Sequence, residues 1–447
     1  MAAPERVFAG RHVNPGAIRV PDGFVIEAVA TGLNIPSGVE FDEENDIFIT
    51  EMGSLSASAY QPGRVIQLRP DGSSLVVADR FRGALTGITY VRGSFFVSEH
   101  AVPSTVWQVF GDGSMFPVLE DLPGGGDHPI SGPLYANSEL VYVGVGSMTN
   151  SGVVGPDNEW WLRKHPHLHD IPAVDVTLAG RNYDSPDFLF GRETAHTGPF
   201  KPFGAPCVEG EVVRGSIPAT GCIVRADPRD GEGMDVIAWG LRKVTCLAAH
   251  QDGRIFCADI GMDEWGSRPV ADGRERIWWV LDNAWYGWPD YAGGMPVTAA
   301  HFKPRSASQP EFLLKDHPMD NLIREPVVTF PRGTGLAKME FSRSRMFADE
   351  NIAFLALSGD HHGISDRGFR VIALNVNTGE TEDFATNIDP GPASMTRSGG
   401  FEHPIDVRFD RTGETMHILD LGVIEMTQSG PSVAPGTGVL WRVSWVG

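Results

Sequence analysis

A chain of 447 residues with 36 basic and 57 acidic side chains carries a formal net charge of −21, which argues against a nucleic acid or an anionic membrane as partner. Its 53 glycines and 33 prolines favour a turn-rich β protein over a helical bundle. No run of about 18 apolar residues occurs, so no membrane-spanning helix is expected, and the chain reads as a monomer or dimer acting on a small molecule. The opening MAAPERVFAGRHVNPGAIRV lacks the apolar stretch of a signal peptide. The expected location is therefore the cytoplasm, or the periplasm or medium if a leader has been removed. Four cysteines occur, Cys207, Cys222, Cys246 and Cys257. Pairing around Asp252-Gly253 sets Cys257 opposite Ala248, so no bridge to Cys246 is expected, and Cys207 and Cys222 are expected as free thiols.

In chain order, the first strand is GFVIEAVATGL, residues 23 to 33, and six hairpins of one kind follow. They are GVEFDEENDIFITEMG, GITYVRGSFFVSEHA, GPLYANSELVYVGVGS, CLAAHQDGRIFCADIG, GLAKMEFSRSRMFADENIAFLALSGD and PIDVRFDRTGETMHILDLG. Each runs from an apolar strand through a polar turn to a second apolar strand that ends on an acid or serine near a glycine. Between them lies a second hairpin type: GRVIQLRPDGSSLVVAD, STVWQVFGDGSMFPVLED, GCIVRADPRDGEGMDVIAWG, RERIWWVLDNAWYGW and FRVIALNVNTGETEDFATN. The last strand, GVLWRVSW, has no following partner, and residues 23–33 supply it. Alternation of two hairpin types over six units predicts an all-β, six-bladed propeller, one domain over 1–447, closed by pairing of its N- and C-terminal strands.

The spacing is uneven. Glu51 to Glu99 and Glu99 to Ser147 are each 48 residues, but Ser147 to Asp259 is 112 and Asp259 to Asp360 is 101. Two long loop insertions are thus expected, about 148–220 and 288–330, both leaving from the face opposite the inner turns. Long insertions in a small fold usually carry function. The same face should hold the strand ends Glu51, Glu99, His100, Ser147, Asp259, Asp360 and Asp420, and the strand starts Asn34, Thr86, His128, Arg242, Lys243 and His403. Ionisable groups around such a mouth either cap backbone amides or meet a ligand.

His128, in the glycine-rich LPGGGDHPISGP, has the access and the ordinary pKa of a general base. The adjacent cations Arg242 and Lys243 suit a carboxylate, a phosphate or a developing oxyanion. The stretch RKHPHLHD, with His165, His167, His169 and Asp170, has spacing for neither one helical face nor a short zinc loop, and reads as surface loop. Asp360-His361-His362 follows a strand end and is better placed. Trp160, Trp161, Trp285 and Trp288 could stack on a sugar or aromatic substrate, or simply pack. CxxC, HExxH, GxSxG and phosphate-loop patterns are absent.

Five segments, TGLNIPSGVEFD, AWGLRKVTCLAAHQDGRIFCADIGMD, DNAWYGWPDY, FEHPIDVRFDRTG and GVLWRV, make the chain resemble the glucose/sorbosone dehydrogenase family over about residues 20–445. These are soluble sugar dehydrogenases that use pyrroloquinoline quinone (PQQ) and calcium on a six-bladed propeller. The resemblance implies oxidation of a sugar or other alcohol hydroxyl by hydride transfer to the quinone. His128 matches the general base, Arg242 the arginine that polarises the quinone carbonyl, and Gly261 and Met262 the calcium-holding backbone carbonyls. Lys243 and Val244 stand where the family has Asn-Pro, Met262 replaces a proline, Ser147 an aspartate that supports the base, and His403 an arginine for the cofactor's carboxylates. The alternative is a quinone-free propeller hydrolase, lyase or isomerase with one divalent ion among Glu51, Glu99, His100, His128, Asp259 and His361. A non-catalytic binding propeller is the third reading.

Overall fold

Polar turns of the Asp-Gly kind, set between stretches alternating at a period of two, fold this chain into short antiparallel strands. The computed structural model describes residues 10–53, 62–136, 139–229, 231, 233–361, 366–427 and 430–447. Six antiparallel sheets make a six-bladed β-propeller. By contacts the chain divides into two units: Met1–Phe95, Val109–Met115 and Gly333–Gly447 form one, and Phe96–Gln108 with Phe116–Arg332 the other. The second blade is Ala84–Val91, Ser94–His100, Ser104–Phe110 and Met115–Leu122.

In the first unit, the first blade is Pro36–Phe41, Ile47–Glu51, Arg64–Leu68 and Ser74–Ala78. The fifth is Leu336–Phe341, Ile352–Leu357, Arg370–Asn375 and Thr381–Asn387, with Ile18–Arg19 added at its edge. The sixth is Pro404–Phe409, Thr415–Asp420 and Gly438–Trp445, and its outer strand is Phe24–Leu33, pairing Phe24 with Trp445 and Leu33 with Gly438. The sequence therefore closes on itself as expected. Behind these strands Phe354, Phe401, Phe409, Met416 and Trp441 form one buried cluster. Burying each such side chain contributes roughly 1.5–3 kcal/mol.

In the second unit, the third blade is Ser131–Ala136, Leu140–Val145, Cys222–Ala226 and Asp235–Trp239. The fourth is Lys243–Ala249, Ile255–Ile260, Glu275–Val280 and Val328–Phe330. Here one sequence expectation fails. Ala284–Trp285, read as the partner of Glu275–Val280, instead pairs in parallel with Ala238 and Trp239 of the third blade, and Val328–Phe330 takes the outer place. Asn283, at φ 58°, turns the chain away, and the amides of Tyr286 and Trp288 then bond to the carbonyls of Trp239 and Gly240. Gly240 is required there, because a Cβ would sit 2.2 Å from the Trp285 ring.

All four cysteines are free and buried. Cys257 lies opposite Leu247, not Ala248, because the turn spans three residues, 251–253, one more than the Asp252-Gly253 pair. The two insertions pack on each other. Leu178 bridges to Leu314, the Ala179 amide bonds to the Leu313 carbonyl, and Phe200, Trp288, Phe302 and Leu314 share one apolar cluster.

Candidate functional site

The acids at the strand ends are built into the fold. The Glu51 carboxylate accepts the Asn34 amide at 2.8 Å and pairs with Arg64. Glu99, fully buried, accepts the indole N–H of Trp107 at 2.8 Å. One oxygen of Asp259 takes the amides of Arg242 and Lys243 at 3.0 and 2.8 Å. Asp420 takes the amides of Glu402 and His403 on its two oxygens, both at 2.9 Å, and pairs with Arg11 at 2.7 Å. Glu51, Asp259 and Asp420 each tie the end of an inner hairpin to its start, which is why one edge carries charge at both ends. Among the described residues no group of three or more His, Cys, Asp or Glu side chains could hold a metal ion. The expected divalent-ion site among these acids therefore finds no geometry to support it.

In the first unit, His403 donates Nδ1–H to the Ser358 carbonyl at 2.7 Å, and the His361 ring stands edge-on to it with Nε2 3.2 Å from the Ser358 hydroxyl. His362 lies outside the described residues. Glu402 beside Asp420 is pushed up to about 7 by burial first and then by the Asp420 charge. Unfolded, this carboxyl would ionise near 4.5, so from about pH 4.5 to 7 the folded chain holds the extra proton and stability falls as pH rises. Glu402→Gln should remove that slope. The unfolding free energy lost between pH 5 and pH 8 is expected to be about 2–3 kcal/mol smaller in the variant. Equal slopes in urea titrations at the two pH values would refute this.

The second unit gathers His128, Ser147, Asn150, Arg242, Lys243 and Asp263. Three consecutive glycines lead into His128 and let that segment lie against Ala101 and Met148; a Cβ on Gly124 would fall 1.8 Å from the Ala101 carbonyl oxygen. His128 is buried, and its Nδ1 lies 2.9 Å from the Ser147 carbonyl oxygen and 3.0 Å from the Ser147 hydroxyl. A carbonyl can only accept, and the hydroxyl already donates to the Thr149 carbonyl at 2.7 Å, so the proton sits on Nδ1 and Nε2 carries the lone pair. Burial, then the charges of Arg242 and Lys243, hold the His128 pKa well below its ordinary 6.5. His100, lowered to about 4 by burial, adds to this field and stands edge-on to Trp161. Asp127, next in sequence, is raised to about 7, by burial first and then by Asp157.

The two cations differ. All five N–H donors of Arg242 are engaged: Nε with the Asn150 carbonyl, Nη1 with the carbonyls of Gly261 and Ile260, and Nη2 with Asn150 Oδ1 and Asp263. Asn150 completes the scaffold by donating Nδ2–H to the carbonyls of Asp263 and Trp265 at 2.7 and 2.9 Å. Sequence reasoning passed over Asn150, whose partners lie 92 to 115 residues away. The ammonium of Lys243 makes no hydrogen bond or ion pair among the described residues. Its pKa is lowered, by burial first and then by Arg242. A base with a free lone pair thus lies in the field of one uncommitted cation, a combination suited to taking a proton from a hydroxyl.

No family model and no curated protein matches the chain. Solved structures do. The PQQ-bound aldose sugar dehydrogenase of Streptomyces coelicolor covers 95% of this chain and 99% of its own, with a TM-score of 0.54 and 13% identity. The holo PQQ domain of pyranose dehydrogenase from Coprinopsis cinerea covers 96% and 97%, with 0.55 and 14%. The apo form of the soluble aldose sugar dehydrogenase of Escherichia coli covers 94% and 99%, with 0.52 and 13%. The chain has the fold of these sugar dehydrogenases.

Of the two positions that the resemblance assigns to calcium, Gly261 and Met262, the first does not fit a cation. The Gly261 carbonyl accepts Arg242 Nη1 at 2.6 Å, so a guanidinium already stands where the ion would bind. Charge repulsion at that range amounts to several kcal/mol, on the order of 4 per unit of charge at an effective dielectric of 20.

Proposed function

We propose that this propeller is a divergent oxidoreductase that oxidises a hydroxyl of a sugar or other alcohol. His128 is the general base, and Lys243 is the cation that holds an anionic quinone cofactor. The observation that supports this most is the His128–Ser147 pair, which leaves Nε2 unprotonated in a site where two cations oppose its charging. Pyrroloquinoline quinone, bound here, would supply the two-electron acceptor. The protein's part is to orient the hydroxyl on Nε2, accept its proton there, and set the Lys243 charge against the negative charge that develops. Arg242 acts through position: it holds Asn150, Gly261 and Asp263, and its own backbone carbonyl accepts the Ser147 amide at 2.8 Å. Ser147 in turn orients the base.

Two features set this reading apart from the calcium-bearing one. Lys243 takes over the electrostatic role, and Gly261 stays bonded to Arg242. Titration of the protein with pyrroloquinoline quinone in excess EGTA, followed by tryptophan quenching, should therefore show saturable binding. Lys243→Met should weaken that binding about 10- to 100-fold, the worth of a charged hydrogen bond. A complex that forms only with added calcium, or none at all, would overturn the proposal.

A further inference from the structure

A cavity of about 260 Å³ opens in the second unit where the insertions meet the outer edge of the third blade. Its walls include Trp239, Trp285, Trp288 and Phe200, and Asp316 and His317 lie on it. None of the six polar groups that form the His128 site lines it. Its size is informative, since an apolar cavity of about 150 Å³ holds one benzene. This one takes a ring with a compact substituent.

The chemistry of the wall narrows the occupant. The lining holds two carboxylates, Asp175 and Asp316, and no Lys or Arg. Asp175 is paired with Arg214, but the exposed Asp316 carboxylate has no partner among the described residues. His317 Nε2 donates to Asp290 at 3.0 Å, which leaves Nδ1 as an acceptor. Of the side-chain donors on the wall, only the Trp239 indole N–H has no partner among the described residues, and the others are engaged. Trp285 Nε1–H goes to the Trp288 carbonyl at 3.2 Å, Trp288 Nε1–H to the Asn150 carbonyl at 3.1 Å, and Thr220 Oγ1 bonds to Asp170 at 3.0 Å. Aromatic faces with free acceptors and an unpaired carboxylate attract an organic cation, through charge and through the ring quadrupoles. A sugar needs donors as well as acceptors.

We propose that this cavity is a binding site for a small organic amine or quaternary ammonium bearing one ring, separate from the His128 site and independent of the function proposed there. Benzyltrimethylammonium is the probe, with benzyl alcohol and glucose as neutral comparisons, each followed by tryptophan fluorescence. The ammonium should bind saturably and at least tenfold tighter than the alcohol, and more weakly as salt rises. Asp316→Asn, on an exposed residue, should lower the ammonium's affinity about fivefold or more and leave the alcohol unchanged. Trp239→Ala should weaken both. His128→Ala should leave ammonium binding as it was. Equal affinity for alcohol and ammonium, tighter binding of glucose, or an Asp316→Asn variant that binds the ammonium like the parent would each overturn the assignment.

Discussion

Arg242→Met is expected to lower the unfolding free energy by about 3–5 kcal/mol, while Lys243→Met, one residue on, costs less than about 1 kcal/mol or stabilises the chain. The charges are the same and the environments are not. The Arg242 guanidinium is buried with every donor engaged, so its removal strips the Gly261 carbonyl of its 2.6 Å bond and Asn150 Oδ1 of one of its two. Asp263 keeps Arg332 at 2.8 Å, which limits the damage to the carbonyls and to packing against Trp265. Lys243 leaves nothing behind, because its ammonium has no partner to orphan, and burial already disfavours its charge. Urea unfolding of the two variants decides the matter. Equal losses would show that Arg242 is not the scaffold and that Lys243 is not free.

That contrast also measures how far the sequence could be read. The inner hairpins and the closing strand were legible because alternation and Asp-Gly turns are local signals; Pro404–Phe409 with Thr415–Asp420 and Phe24–Leu33 with Gly438–Trp445 fall where the pattern puts them. Ala284–Trp285 was misassigned because its partner strand lies some 46 residues earlier and in parallel, a pairing no turn announces. The close approach of the segment leading into His128 was visible from its glycines. Which of Arg242 and Lys243 remains uncommitted was not visible, since that depends on Asn150 and Asp263, which reach Arg242 from 92 residues before it and 21 after. The acids at the strand ends looked like ligands, and adjacency along the chain could not show that Asp259 turns back onto the amides of Arg242 and Lys243.

If His128 is the base, His128→Ala should reduce kcat by about 10²–10⁴-fold, with KM changed little and quinone binding intact. The pH profile is the sharper readout. A base must be unprotonated, and this imidazole is held well below 6.5, by burial first and then by Arg242 and Lys243. Its limb should therefore be missing near pH 6.5 and fall at more acidic pH. Removing one of those cations relieves the repulsion, so Lys243→Met should move the limb up, toward 6.5, even as turnover falls. His100, lowered to about 4, is neutral near pH 6.5 and contributes no limb there. Asp127 does titrate there, near 7, and its ionisation places a negative charge in the field of Lys243. Asp127→Asn separates the two: a feature near pH 7 that disappears in that variant belongs to Asp127, and the acidic limb that survives belongs to His128. A purely structural His128 would give a variant of reduced stability whose remaining activity follows the parent's pH curve. A kcat within threefold of the parent would remove His128 from the chemistry altogether.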